Sequence, residues 1–400
     1  MTHPETFAWL LLLAAVVGLV ALLSYRVTRW IRVPASVLML VVAAVAVQVL
    51  SSVDAPPGES VERIVTVALA FILFEGGMSI GVPRFRSQAR TVGLVGVLGT
   101  FLTALGVAVF LHAVVQLDWY AAALVATAIA PTDPAVVFSV LGQQEIEGPS
   151  GTVVEGESGA NDPVGIALMI SLLEAGGISG DAMAHVVGEF ALQMGVGLVV
   201  GLVGGVLIRR FAEVVHLPDS GLEPIRTIAC VLLLFAVATL LQGSGFLAVF
   251  VAGVLMGEVR TPYRRDLERV FGGLASLGEV IAFVVLGLTV SLSTLGHTDV
   301  WLPGVALAIV LALVLRPLLV GPLLVGSGLS RNERWFVLLV GLKGAVPILL
   351  GLLILGSDVD DPNRLYGIIV VAVLLSVSVQ GALVPTMMRR LGIRTRPAEP

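Results

Sequence analysis

Stretches of mainly apolar residues, divided by short polar gaps, run the length of this chain and set its reading. A helix needs about 20 apolar residues to cross a hydrocarbon layer. Thirteen such segments are predicted, near 7–24, 33–50, 61–81, 91–115, 119–141, 151–174, 184–210, 224–241, 245–257, 272–294, 300–328, 333–356 and 363–388. Segment 9 is short, and the pattern also admits twelve or fourteen. The expected fold class is an all-α polytopic membrane protein, with the lipid bilayer as its surroundings. No linker rich in proline, serine or charge divides it, so 1–400 reads as one transmembrane unit.

Two segments are interrupted. AIAPTDPAVV (128–137) puts Pro131 and Pro134 in segment 5, and GLKGAVPILL (341–350) puts Gly344 and Pro347 in segment 12. A proline leaves the carbonyl four residues back without its helical donor, here those of Thr127, Ala130 and Lys343. If segments 1–6 correspond to 8–13, with segment 7 as connector, the second half enters the membrane from the opposite side. The two breaks then fall at matching positions. Such inverted repeats are common in secondary transporters, and paired breaks point to a binding site near the midplane. Segment 7 itself carries Gly197, Gly201 and Gly205 at four-residue spacing, the pattern of close helix–helix packing.

Composition enforces the membrane reading. Four hundred residues would ordinarily make two or three soluble domains. A hydrophobic content of 57%, with 13% charged residues and a mean hydropathy of +1.02, leaves too little polar surface to cover such domains. The net charge of −5 decides little, because orientation follows the Lys and Arg of short loops. With the N-terminus outside, the odd-to-even loops and the C-terminal tail hold 19 of the 23 basic residues, Arg26, Arg29, Arg32, Arg84, Arg86 and Arg90 among them. Outside loops hold only Arg63 and Arg364, while Arg316 and Lys343 fall within segments. The expected topology is therefore N-terminus outside and C-terminus cytoplasmic. The leader MTHPET lacks a basic residue, so segment 1 is read as a membrane helix and not a signal peptide. A single cysteine, Cys230, excludes an intramolecular disulfide. The short tail after segment 13 leaves no room for a soluble regulatory domain.

Against this background the polar set inside the segments stands out. Segment 6 opens EGESGANDPVGIALM (155–169), where a plain membrane helix would carry leucine. Ionisable residues at membrane depth are functional hypotheses, each needing a partner. Glu75 in segment 3, Asp133 in segment 5, and Glu157 and Asp162 in segment 6 lie at similar depth by residue count. Thr132, Ser158 and Asn161 accompany them. Ser158 and Asp162 are four apart and share a face, as do Glu157 and Asn161 on the next. Asp162 and Ser158 can thus face one cavity with Asp133 and Thr132, while Pro163 loosens the helix and frees the carbonyl of Gly159. Carboxylates, hydroxyls and free carbonyls suit an alkali cation, and no His or Cys cluster calls for a transition metal. Lys343, the sole lysine, needs a counter-ion, and Glu157 is the candidate. A structural ion pair between two helices is favoured there over direct participation in transport. Arg316 is read as structural; Glu279 is left open between the cytoplasmic vestibule and solvent, and Glu155 is placed nearer the cytoplasmic mouth of segment 6, with an electrostatic funnel role left open.

The motifs LFEGG (73–77), TDP (132–134), ESGxND (157–162), GSGFLAVFVAGVLMG (243–257) and GLKGAVP (341–347) together resemble the NhaP-type monovalent cation:proton antiporters. These are bacterial relatives of the animal sodium/proton exchangers, and the likeness covers essentially the whole chain. It implies a homodimer of thirteen-helix protomers in the cell (inner) membrane, with an ion-carrying core moving against a dimerisation domain. It also implies that Asp162 holds the cation with Ser158, Thr132, Asp133 and Glu75 around it, and that Asn161 marks electroneutral exchange. The family's basic residue in segment 12 is commonly arginine. Lys343 keeps the charge but lacks the planar fork. GLKGAVP also resembles the potassium/proton branch, so K⁺ stands beside Na⁺ and Li⁺ as the expected cation. No cofactor and no nucleic acid are called for.

The expected mechanism is competition, with a proton and a cation binding alternately to Asp162. An ionised, empty carboxylate is too costly to carry across the membrane. Two rivals come from other classes. GESG (156–159) fits the GxSG pattern of intramembrane serine proteases, but such a serine needs an activating histidine. His3, His112, His185, His216 and His297 are all placed at segment ends or in loops. A cation channel would pass current far above carrier turnover with no coupled pH change.

Overall fold

The computed structural model describes residues 34–49, 56–134, 144–215, 217–219 and 221–397, with the single residues Leu19 and Val137. Apart from those two, predicted segment 1 and the far half of segment 5 fall outside that set, as do Arg26, Arg29, Arg32, His3 and His216. Every other predicted segment is helical. Segment 2 is Ala35–Val49, segment 6 Pro149–Ala175, segment 7 Gly180–Val214, segment 8 Leu222–Leu240, segment 9 Gly245–Met256 and segment 10 Arg264–Gly287. Segment 11 spans Thr298–Leu319 and segment 13 Pro362–Leu391. Segments 5 and 12 are broken as expected, with helix over Trp119–Ile129 in the first and over Arg331–Leu339 and Ala345–Leu355 in the second. Six helical runs among the described residues are long and apolar enough to cross a membrane; the polar insertions of segment 6 keep it out of that set.

Three expectations need correction. Segments 3 and 4 form one helical run, Gly58–Val115, broken once at Gly81 with φ 64° and ψ 167°. Only glycine reaches that backbone region without strain, so one residue replaces the predicted loop and Arg84, Arg86 and Arg90 stand on the first turns of segment 4. Segment 6 is helical throughout, Pro163 included, so that proline interrupts nothing beyond the hydrogen bond its missing N–H cannot make. In segment 12 the break occupies 340–344, and Pro347 lies in the first turn of the resumed helix, where a missing N–H removes no helical bond.

A short antiparallel ladder, unforeseen in the apolar pattern, pairs Gln144–Ile146 between segments 5 and 6 with Thr395–Pro397 beyond segment 13. It belongs to a wider sorting of the two ends. Asn332 Nδ2, in the first turn of segment 12, donates to Leu391 O at 3.1 Å. The Arg260 N–H, between 9 and 10, donates to Glu213 at the end of 7, and Arg84, after segment 3, pairs with Glu155 near the start of 6. At the opposite end Arg364 meets Asp299, and Tyr120 Oη donates to Leu172 O. These contacts join odd-to-even connections to one another or to the tail, and even-to-odd ones to one another. Among the described residues, the basic clusters joined in this way share one end of the molecule.

Small residues let the inner helices touch. The glycine stripe of segment 7 lies on segment 9: a Cβ on Gly197, Gly201 or Gly205 would come within 3.0 Å of Ser244, Ala248 or Ala252. Segment 9 in turn crosses segment 3 so closely that a Cβ on Gly253 would meet Phe74 O at 2.2 Å. Segment 6 packs on segments 3, 5 and 9, and nearly all of its residues from Ser150 to Met169 are buried.

Candidate functional site

The two breaks meet each other. Segment 5 loses its helix at Ile129, just before Pro131, and the Asp133 N–H beyond it donates to Leu342 O at 2.8 Å. From the other strand of the crossing, Lys343 Nζ donates to Ala130 O at 2.8 Å and Pro131 O at 2.9 Å. The Asp133 carboxylate lies against Gly344, immediately before the Ala345–Leu355 helix; a Cβ on Gly344 would sit 1.7 Å from Asp133 Oδ2. An ammonium thus faces the negative end of one half-helix and a carboxylate the positive end of the other, the favourable sign at each terminus. The Lys343 N–H donates to Ser376 Oγ at 3.2 Å, Ser376 Oγ donates to Gln380 Oε1 at 2.7 Å, and Gln380 Nε2 donates to Leu339 O at 3.4 Å.

Segment 6 presents its polar face to this crossing. Asn161 Nδ2 donates to Thr132 Oγ1 at 2.7 Å. Ser158 and Asp162 are buried on the adjoining face, and Asp162 lies within electrostatic range of both Asp133 and Lys343. Two acceptor atoms stand out. Asp162 Oδ1 and Asn161 Oδ1 are buried without a hydrogen-bond partner among the described residues, although buried acceptors are nearly always satisfied. Oxygens of this kind are hard acceptors, suited to an alkali cation or, on the carboxylate, a proton.

Glu75 is the expected member that stands apart. It is half-buried, its electrostatic neighbour is Glu155, and among the described residues no hydrogen bond or ion pair joins it to Asp162. Thr132, Asp133, Asn161, Asp162 and Lys343 converge, with Ser158 beside Asp162 on its helix.

The expected pairing of Glu157 with Lys343 does not occur. Glu157 is held by Arg316, whose Nη2 donates to Oε1 at 2.8 Å and Oε2 at 3.0 Å, with both side chains 4% exposed. The same guanidinium donates through Nε to Leu338 O at 3.0 Å and through Nη2 to Val337 O at 3.3 Å, so it also closes the C-terminal end of the first half of segment 12. A planar, five-donor fork can serve a carboxylate and two carbonyls together. A compact ammonium suits the two converging carbonyls that Lys343 takes. Gly341 makes room for the fork, since a Cβ there would lie 2.2 Å from Arg316 Cζ. Local geometry hid the partner: Leu311–Leu315 form a π turn immediately before Arg316, which inserts a residue and turns Arg316 off its ordinary helical face.

Replacing Asn161 by alanine strands the buried Thr132 hydroxyl. The expected loss is about 1 kcal/mol, read as a lowered melting temperature in detergent beside an unchanged Asn161→Gln control only if the longer amide still reaches Thr132.

The GESG serine has no histidine near it among the described residues. His112 Nδ1 donates to Leu117 O at 2.7 Å and the ring stacks on Trp119, while His185 and His297 are exposed.

A family model described as "Sodium/hydrogen exchanger, transmembrane" matches residues 16–390. The chain belongs to the sodium/hydrogen exchanger family. The antiporter is 31% identical over 398 residues to the K(+)/H(+) antiporter NhaP2 of Shewanella sp. (strain MR-4), covering 96% of this chain and 67% of that one. With the K(+)/H(+) antiporter NhaP of Alkalimonas amylolytica it shares 31% over 378 residues, 93% of this chain and 65% of the relative. With the Na(+)/H(+) antiporter NhaH of Halobacillus aidingensis it shares 25% over 350 residues, 82% and 83% of the two chains. It thus spans about two thirds of the length of the K(+)/H(+) relatives. Its fold is that of the sodium proton antiporter MjNhaP1 from Methanocaldococcus jannaschii, with a TM-score of 0.78 at 22% identity over 96% of this chain and 99% of the other. The family is one of monovalent cation/proton antiporters, so the antiporter is a multi-pass transporter and not an enzyme.

Proposed function

We propose that the antiporter exchanges a monovalent cation for protons by alternating access, with cation and proton competing for Asp162. One observation carries the reading: Asp162 Oδ1 and Asn161 Oδ1 are buried acceptors without donors, beside two crossed helix breaks. Asp162, Ser158, Thr132 and Asp133 would surround the ion, and Glu75 would act from the basic end of the site. Asn161 orients through Thr132, while Lys343 and the Glu157–Arg316 pair keep the crossing in shape. Placing the basic end in the cytoplasm, as the positive-inside rule requires, puts the N-terminus outside and the C-terminus inside the cell (inner) membrane. A homodimer is the expected assembly. Potassium is the second reading for the cation, favoured by the names of the 31%-identical relatives.

The deciding measurement is dissipation of an imposed pH gradient in proteoliposomes, comparing Na⁺, Li⁺ and K⁺ at constant ionic strength. Exchange is expected to saturate with cation and to run at carrier rates. Large cation current without proton movement would overturn the proposal in favour of a channel.

A further inference from the structure

We propose that Arg84 tunes the cation affinity of the antiporter by neutralising Glu155 at the basic-end mouth of the path to Asp162. The proposal rests on exchange at Asp162. Glu155, Ser158 and Asp162 follow one another at spacings of three and four, which places them on one face of segment 6. Between Ser150 and Met169, only Glu155 and Ala160 are not buried, and Ala160 is turned toward Gly96 of segment 4. Glu155 therefore marks where the ion-bearing face emerges from the interior.

Arg84 covers that point. Its Nη2 meets Glu155 Oε2 at 3.1 Å and its Nε meets Thr152 Oγ1 at 3.4 Å. Its Nη1 donates to Ser79 O at 3.2 Å, the carbonyl side of the Gly81 break, which fixes where the guanidinium can reach. The carboxylate is the inner partner, 13% exposed against 37% for the arginine side chain. Glu75 lies in electrostatic range of the same carboxylate. Seven residues of helix separate Glu155 from Asp162, about 10 Å of rise. At that range, an unneutralised Glu155 would draw a cation toward Asp162. Arg84 offsets the charge of Glu155, one of the two carboxylates there, and an entering cation competes with a tethered guanidinium.

A clamp that merely secures the Gly81 turn would act on stability alone, so the two roles separate in transport kinetics. The full chain is reconstituted, and pH-gradient dissipation is followed against the concentration of whichever cation the wild type exchanges, with choline keeping ionic strength constant. Arg84→Gln is expected to lower the half-maximal cation concentration roughly three- to tenfold with the maximal rate retained, and Arg84→Lys to stay near wild type. Glu155→Gln, which leaves Arg84 uncompensated, is expected to raise the half-maximal concentration by a similar factor. The Arg84→Gln change should shrink in a Glu155→Gln background. An unchanged half-maximal concentration in Arg84→Gln overturns the proposal. Should that variant not fold, a wild-type value in Glu155→Gln overturns it instead. Wild-type chain that exchanges no cation would defeat the antiport reading itself, a separate result.

Discussion

Asp162→Asn is expected to reduce cation-dependent proton movement to the leak of protein-free liposomes, while the protein still folds. The change is nearly isosteric, so packing around a side chain 7% exposed is preserved. What disappears is the capacity to hold either a proton or a cation. An amide cannot alternate between the two, and a carrier with nothing to alternate has no coupled cycle. Stability should not fall with activity. Asp162 Oδ1 has no donor among the described residues, and a buried charge short of a donor is a cost to folding that an amide relieves. Unfolding in detergent at an equal or higher temperature, with transport abolished, is the combined result to look for. Asp133→Asn supplies the contrast: the backbone tie from Asp133 N–H to Leu342 O survives it, so exchange should be weakened and not lost. Persistent cation/proton exchange in Asp162→Asn would move the carrier role to another acid.

The difference between what could be read in the chain and what could not follows the scale of the signal. Crossing segments are long and repetitive, and twelve of them recur as helices among the described residues. The breaks were legible because Pro131, Pro134 and Gly344 act locally, through a missing N–H or a missing Cβ. The faces of segment 6 were legible because helical spacing alone sorts Ser158 with Asp162. Partner choice was not. Lys343 and Arg316 are each one cation in an apolar helix, and nothing in either local sequence says which reaches Glu157. The π turn at Leu311–Leu315 sets the face that Arg316 takes, and the room left by Gly341 admits its guanidinium. The Gly81 turn was hidden for a similar reason, since three arginines after an apolar run look like a loop whether or not the helix resumes. Charge counting speaks to the side of the membrane on which a loop lies and not to its conformation, so it could not show the turn at Gly81.

Arg316→Met is the second large effect expected, and its double variant separates structure from transport. Arg316 Nη2 holds both oxygens of Glu157 at full burial, and the rest of the guanidinium closes carbonyls of Val337 and Leu338. Removing one partner of a buried pair leaves an uncompensated charge, a loss of about 3–5 kcal/mol. It should appear as poor yield and a steep drop in melting temperature. Removing the charge from both sides is a different perturbation. Glu157→Gln combined with Arg316→Met leaves no buried ion, so much of the lost stability should return; Glu157→Gln alone should behave like the arginine variant, because it strands the guanidinium. The recovery should remain incomplete, since Val337 O and Leu338 O lose their donor in either background. Transport then says what the pair is for. If it only locks segment 6 to segments 11 and 12, the rescued double variant exchanges cations at a rate in line with its restored fold. A double variant that is stable yet transports nothing would instead place Glu157 and Arg316 within the moving machinery of the antiporter.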